Sequence, residues 1–85
     1  MKKAIKASIF YTIDKEHPDY NCIKQPDRMH EFTDIYHVDT DNYWSEDDMY
    51  SRIKEDLKLV AGGGYNWNHV HNISFDFTEV RIWNI

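Results

Sequence analysis

The stretch "WSEDDMYSRIKEDLKLVAGGG", which begins at Trp44, constrains the fold more than any other part of the chain, because it carries the signals for a complete helix. Ser45 is a favoured N-cap residue, and Asp48 follows three residues later as a variant of the capping box. Trp44 and Met49 stand where a hydrophobic staple would join them across the cap. The pattern predicts a helix over residues 45–61.

Beyond its start, this segment has one apolar face and a charge pattern that suits a helix. Acidic residues occupy the first turn, where the positive end of the helix dipole favours negative charge. Apolar residues then recur at helical spacing: Met49, Ile53, Leu57, and Val60 or Ala61. Glycine adopts the left-handed conformation that often ends a helix without steric cost, so we expect Gly62 to take that position.

Two strands precede the helix. The segment "KKAIKASIFYTI", residues 2–13, alternates apolar residues on one face with mainly polar residues on the other, and this period of two is typical of a strand. The segment "HEFTDIYHV", residues 30–38, places Phe32, Tyr36 and Val38 on one face and is predicted to be the second strand. The stretch between them is rich in Pro, Asp and Asn, which predicts a long loop.

The last segment, "NISFDFTEVRIWNI", residues 72–85, is predicted to be a strand whose alternation changes phase. Ile73 and the two phenylalanines that follow it share one face, whereas Val80 and Ile82 fall on the other. A β-bulge near residues 78–79 would return the later apolar residues to the core face. A strand covered on both faces is the alternative.

These elements predict a single α+β domain over residues 1–85 with the order β-β-α-β. If the third strand pairs with the first, the result is a three-stranded antiparallel sheet of order 2-1-3, with the most apolar strand in the centre. The order 1-2-3 is the alternative, and it would need a parallel pair. We expect the order 2-1-3, with the helix packed on one face of the sheet.

The composition argues against several classes of protein. The net charge of −5 disfavours nonspecific nucleic-acid binding, because such binding depends on Lys and Arg side chains that neutralise phosphates. No apolar run is long enough to span a bilayer, and the basic start lacks the apolar region of a signal peptide. The single cysteine, Cys22, excludes an internal disulfide, so we expect a reduced, cytoplasmic setting.

The three glycines of "LVAGGGYNWNHVHN" suggest a phosphate-binding loop, but their position argues against one. They follow the predicted helix, whose C-terminal end carries partial negative charge and repels phosphate. Two interpretations are left open: a plain connection from helix to strand with Trp67 against the sheet, and a surface loop that presents Tyr65, Trp67 and His69 to a partner. We expect no cofactor.

Two histidines after this loop raise the question of a metal site. His69 and His71 would project the same way from an extended backbone, and His37 or His30 could supply the third protein ligand that catalytic zinc normally needs. Nothing in the sequence brings His37 or His30 near the other two. Surface or partly buried histidines are therefore the expectation, and no catalytic residue is predicted.

Acidic residues are concentrated before and at the start of the predicted helix. Residues 31–48 contain seven of the 15 acids and no Lys or Arg. An EF-hand loop beginning at Asp39 would need a glycine and a glutamate at positions held by Trp44 and Tyr50, so calcium binding is not predicted. A capped helix start beside a solvated turn is one interpretation. A surface for a basic protein is the other, because complementary charge speeds association and aromatic side chains anchor interfaces. The predicted partner-binding residues are Asp39, Asp41, Tyr43, Trp44, Glu46, Asp47, Asp48, Tyr65 and Trp67.

In size, acidity and β-β-α-β order, the chain resembles the small acidic proteins that phages use against bacterial defences, the anti-CRISPR proteins among them. The resemblance implies a non-enzymatic inhibitor in the host cytoplasm. Such an inhibitor would block the basic nucleic-acid-binding groove of a defence protein, such as a Cas nuclease, without binding nucleic acid or a membrane itself. Two alternatives are a homodimeric interaction module that uses a free strand edge and a metal-binding protein or enzyme centred on His69, His71 and His37.

Overall fold

The fold is a three-stranded antiparallel sheet with one helix, seen here in a computed structural model that describes residues 1–63 and 68–80. The elements are β1 (Lys2–Ile13), β2 (His30–Asp39), α1 (Glu46–Ala61) and β3 (Val70–Val80), with short 3-10 turns at Tyr20–Cys22 and Thr40–Asn42. The strand order β2-β1-β3 confirms the predicted order 2-1-3 and the α+β class, and the alternative order 1-2-3 is wrong. Within the described ranges, no helix is long and apolar enough to cross a membrane.

Strand β1 is the centre of the sheet and pairs antiparallel with both neighbours. Ile9 lies between Phe32 of β2 and Phe75 of β3 in the register. Since residues directly opposite one another in a sheet point to the same face, all three side chains lie on one side. Ile5 and Ile9, two residues of that face, are fully buried. The face of β1 that the alternation in residues 2–13 predicted to be apolar is therefore the face that is buried.

Helix α1 covers this face of the sheet with its apolar stripe. Its buried residues are Met49, Ile53, Leu57 and Ala61. The sequence left open whether Val60 or Ala61 completes the stripe, and the answer is Ala61, because Val60 remains 43% exposed. Full burial of one large aliphatic side chain contributes about 1.5–3 kcal/mol, so each large apolar residue of this stripe stabilises the packing of α1 on the sheet.

The start of the helix has the predicted cap but lacks the predicted staple. Ser45 Oγ accepts a hydrogen bond of 3.1 Å from the Asp48 backbone N–H, and Asp48 Oδ2 accepts one of 3.4 Å from the Trp44 N–H. Met49 is buried, but the Trp44 side chain is 93% exposed, so the staple between them does not form. The backbone is extended at Tyr43 and Ser45, and side chains alternate along extended backbone. Tyr43 packs against the core, and Trp44 therefore points away from it.

The end of the helix corrects one prediction and shows an unpredicted anchor. Gly62 has an ordinary φ of −81°, and Gly63 is the left-handed residue, with φ of 75°. His17 is buried, and its Nε2 donates a hydrogen bond of 2.6 Å to the carbonyl oxygen of Ala61. This tautomer follows because His17 Nδ1 accepts a hydrogen bond from the Asp19 N–H. The long loop after β1 is thereby attached to the last turn of α1.

Strand β3 contains a bulge, but not where the sequence suggested. Pairing with β1 is continuous from Val80 to Ser74, so the prediction of a bulge at residues 78–79 is wrong. The register shifts between Phe10 and Thr12 of β1, where β3 has one extra residue, and Asn72 there has a positive φ of 55°. Val80 lies opposite Ala4, on the face away from the helix, and the predicted position of Ile82 lies outside the described residues.

The exposure of Trp44 leads to a stability prediction that distinguishes it from Met49. We expect Trp44→Ala to change the free energy of unfolding by less than about 0.5 kcal/mol, because the indole buries little surface. Met49→Ala should cost about 2–5 kcal/mol, because it leaves a cavity beneath the helix. Urea denaturation of both variants measures the two values. Similar losses for the two variants would mean that the staple forms in solution.

Candidate functional site

The predicted partner-binding residues that the structure describes lie together at the end of β2, in the 3-10 turn after it, and in the first turn of α1. We call this set the helix-start surface. Its members are Asp39, Asp41, Tyr43, Trp44, Glu46, Asp47 and Asp48. The other two predicted members, Tyr65 and Trp67, lie outside the described residues.

The turn that carries this surface is held by local hydrogen bonds. Asp39 Oδ1 accepts a hydrogen bond of 3.1 Å from the Asp41 backbone N–H and thereby caps the 3-10 turn. Thr40 donates to the carbonyl oxygen of Met1 through both its backbone N–H and its hydroxyl, at 2.9 and 3.1 Å. The turn is therefore attached to the beginning of β1, which fixes the position of the residues that follow.

Cations of the chain itself compensate much of the acidic charge. The N-terminal ammonium group lies 3.1 Å from Asp39 and 3.1 Å from Asp41. Lys3 Nζ, on the helix-covered face of β1, lies 3.3 Å from Glu46 and 3.6 Å from Glu79 of β3. The hydrogen bond to Glu46 and the nearby Glu79 carboxylate raise the pKa of Lys3 above its ordinary value. The sequence did not reveal these pairs, because their members lie far apart in the chain.

Some acids of the helix-start surface stabilise the local backbone, and the others are exposed and could contact a partner. Asp48 pairs with Arg52 at 3.4 Å and completes the cap, and Asp39 caps the turn, where the backbone N–H of Asp41 lowers its pKa. Asp41 and Glu46 have side chains that are 82% and 68% exposed. Asp47 is exposed and forms no ion pair with residues 1–63 or 68–80.

The paired acids at this surface remain accessible to a partner. The ion pair between Asp41 and the N-terminal ammonium group joins two exposed groups and therefore contributes little to stability, so Asp41 can exchange it for a cation of another protein. Glu46 is exposed, but its partner Lys3 is only 14% exposed and keeps Glu79 as a second carboxylate when Glu46 binds another cation. The carboxylates that a cationic partner could contact are therefore those of Asp41, Glu46 and Asp47.

The two aromatic residues of the surface differ in their environment. Tyr43 packs against the core, and the Arg52 guanidinium lies over its ring at 5.8 Å. Trp44 exposes nearly its whole indole beside the first turn of the helix. Trp44 is thus the aromatic side chain of this surface that could be buried by a partner.

The seven acids of residues 31–48 do not form one continuous patch. Glu31 lies opposite Phe10 near the far end of β2, and Asp34 lies opposite Ala7 in its middle. Both residues are on the sheet rather than at the start of the helix. The anionic surface is smaller than the sequence suggested.

The histidines after the glycine loop meet a carboxylate that the sequence did not suggest. His71 Nε2 lies 2.8 Å from Asp14 Oδ2, and His69 Nδ1 lies 3.2 Å from the same carboxylate. His37 is opposite Ala4 and His71 opposite Thr12, which separates the two histidines by roughly 26 Å along the sheet. His37 is therefore wrong as a third ligand. In the parts of the chain that the structure describes, no group of three His, Cys, Asp or Glu is arranged to hold a metal ion.

The Asp14 cluster joins the end of β1 to the start of β3. The hydrogen bond from His71 is the largest cause that lowers the pKa of Asp14, to about 2, with further contributions from the Glu16 backbone N–H and His69. The Asp14 backbone N–H also donates to the His69 carbonyl oxygen at 3.1 Å. These contacts hold the two strand ends together and account for the positions of both histidines.

Comparison with protein-family models gave no match for this chain. Comparisons with curated proteins and with solved structures gave no significant match either.

The Asp14 cluster leads to a prediction about stability and pH. The pKa of Asp14 in the folded protein, about 2, lies below the ordinary value of 3.8, so the ionised carboxylate stabilises the fold above pH 4. That contribution is lost as the pH falls through about 2. Asp14→Asn should therefore lower the urea midpoint at pH 6, and the difference from the wild type should shrink between pH 4 and pH 2.

The matched control for this measurement is Asp47→Asn, which removes an exposed carboxylate that has no such histidine contacts. It should leave the pH dependence of the urea midpoint close to that of the wild type. A difference between Asp14→Asn and the wild type that is equally large at pH 6 and pH 2 would contradict the assigned role of the carboxylate.

Proposed function

We propose that this chain is a non-enzymatic, protein-binding inhibitor that uses the helix-start surface to bind a basic surface of its partner. The observation that carries the proposal is the exposed indole of Trp44 among available carboxylates. The Trp44 indole does not pack in the core, and the hydrogen bonds that cap the helix use the backbone of Trp44 but not its side chain. The side chain is therefore better explained by an intermolecular contact than by folding.

Burial of Trp44 in a partner would supply the apolar part of the interface. A buried aromatic side chain removes about 150–250 Å² from water, and tryptophan is enriched among the residues that dominate binding energy. The extended backbone at Tyr43 and Ser45 and the two hydrogen bonds at the cap hold the residue in place. Because the position is already ordered, binding costs less conformational entropy.

The charge of the partner follows from the residues around Trp44. Asp41, Glu46 and Asp47 present carboxylates that a row of Lys or Arg side chains would match. An Arg of the partner could also stack on the indole face, which is the most favourable partner for a cation. A cationic groove that normally binds nucleic acid offers both a row of Lys or Arg side chains and an Arg that can stack on the indole.

The resemblance to phage anti-defence proteins suggests which cationic proteins to examine. The proposed partner is a host defence protein with a Lys- or Arg-lined nucleic-acid groove, of which a Cas nuclease is an example. Inhibition would be stoichiometric, because the chain would occupy the groove in place of the nucleic acid. The inhibitor would act in the bacterial cytoplasm and would not bind the nucleic acid directly.

The test begins with capture of partners from bacterial lysate and continues with affinity measurements on purified proteins at several salt concentrations. Trp44→Ala should weaken binding by roughly 30-fold, which is the loss typical of a residue that dominates an interface. The double variant Asp41→Lys, Asp47→Lys should weaken binding mainly by slowing association. The wild-type affinity should fall steeply as salt increases, because the exposed charges are screened.

The controls are Ile35→Ala and Glu55→Lys. Ile35 is an exposed apolar residue on the other face of the sheet, and Glu55 is an exposed acid on α1 beyond its first turn. Both variants should bind like the wild type. Equal weakening by Glu55→Lys would indicate a net-charge effect, and unchanged binding by Trp44→Ala would overturn the proposed surface.

A further inference from the structure

The two edges of the sheet differ in how well they are protected from another strand. Strands β2 and β3 form the edges, and each has a row of backbone groups that face away from β1. On β2, Asp34 Oδ1 accepts a hydrogen bond of 2.8 Å from the Ile35 backbone N–H. The Asp34 side chain thus binds a backbone N–H that an added strand would need for pairing, and β2 is therefore the protected edge.

The same hydrogen bond shows which residues of β3 face outward. The N–H of Ile35 points away from β1, so Ile35 and the opposite residue, Lys6, form a non-hydrogen-bonded pair. The backbone N–H and C=O groups of Lys6 therefore point toward β3. Lys6 is opposite Thr78, so the backbone N–H and C=O groups of Thr78 form hydrogen bonds with β1. Along β3, the backbone groups of successive residues point alternately toward β1 and away from it. Phe75 and Phe77 therefore direct their N–H and C=O groups outward. No strand of the described chain pairs with them.

We propose that β3 pairs antiparallel with β3 of a second copy of this chain, in the register that places the two Phe75 residues opposite each other. In this register Ile73 of one copy lies opposite Phe77 of the other. All of these side chains are on the helix-covered face, so the pairing joins two partly buried apolar rows into one. The product is a six-stranded antiparallel sheet with two helices on the same face.

The polar residues of β3 select this register. On the face without the helix, Ser74 of one copy lies opposite Asp76 of the other, where the hydroxyl can donate to the carboxylate. Shifting the centre of symmetry to Asp76 would place two carboxylates opposite each other, which is unfavourable. Shifting it to Ser74 would place Asp76 opposite Asn72, whose positive φ of 55° interrupts the strand.

The second copy would also pack beside an aromatic cluster that is only partly buried in one copy. Phe75 and Phe77 stack with ring centroids 6.2 Å apart, and Tyr50 of α1 lies 5.0 Å from Phe77. Lys54 lies over both phenylalanine rings, at 5.5 and 5.9 Å, and covers them from the helix side. Both phenylalanines remain partly exposed, and they stand on the edge strand beside which the second copy would pack.

The experiment is a charge-swap series on the full chain, measured by sedimentation equilibrium. The wild type should show a monomer–dimer equilibrium. Ser74→Asp places two carboxylates opposite each other at two symmetric sites, so the dimer Kd should rise by roughly tenfold or more. Adding Asp76→Lys to Ser74→Asp restores opposite charges and should bring the Kd back toward the wild-type value.

The matched control is His37→Asp, which adds one carboxylate on the same face but on β2. It should leave the dimer Kd unchanged. Hydrogen exchange on the wild type gives a second readout that needs no variant: protection of the Phe75 and Phe77 amides should increase with protein concentration.

Three results would overturn the proposal. One is a wild type that is monomeric at every accessible concentration. Another is a dimer whose Kd does not respond to Ser74→Asp, which would place the interface elsewhere. The third is protection of the Phe75 and Phe77 amides only when another protein is added, which would mean that a strand of a different protein occupies this edge.

Discussion

The packing of α1 on the apolar face of β1 is the interaction on which the rest of the structure depends. β1 is the central strand, so the burial of Ile5 and Ile9 beneath the helix also fixes where β2 and β3 pair. A one-residue slip of β1 would move Lys6 and Phe10 beneath the helix and its present core residues to the opposite face. The register is therefore set by burial, and the polar contacts that join β1 to distant segments depend on it.

That register determines the character of the helix-start surface. It brings Lys3 beside Glu46 and Glu79, and it brings the first residue of the chain to the turn after β2. The core side of this turn is taken by Tyr43, so Trp44 faces water. The paired acids and the exposed indole thus arise from the same packing.

The elements and their order could be predicted from the sequence because they depend on local patterns. Period-two alternation, the Ser45 cap and the helical stripe are all contained within short segments. The pairing of the third strand with the first was also predicted, but side-chain contacts between distant residues were not: His71 and Asp14 are 57 residues apart, and Lys3 and Glu46 are 43 apart. The staple failed for a local reason, because extended backbone can direct only one of Tyr43 and Trp44 toward the core.

The Trp44 indole is exposed in the free chain, and in the proposed complex it is buried by a cationic partner. Incorporation of 5-fluorotryptophan, with the Trp44 resonance assigned through Trp44→Phe, tests both statements directly by fluorine NMR. We expect this resonance to shift between H₂O and D₂O in the free chain and to lose that shift when the captured partner is bound. A Trp44 resonance that is insensitive to solvent in the free chain, or still sensitive in the complex, would contradict this expectation.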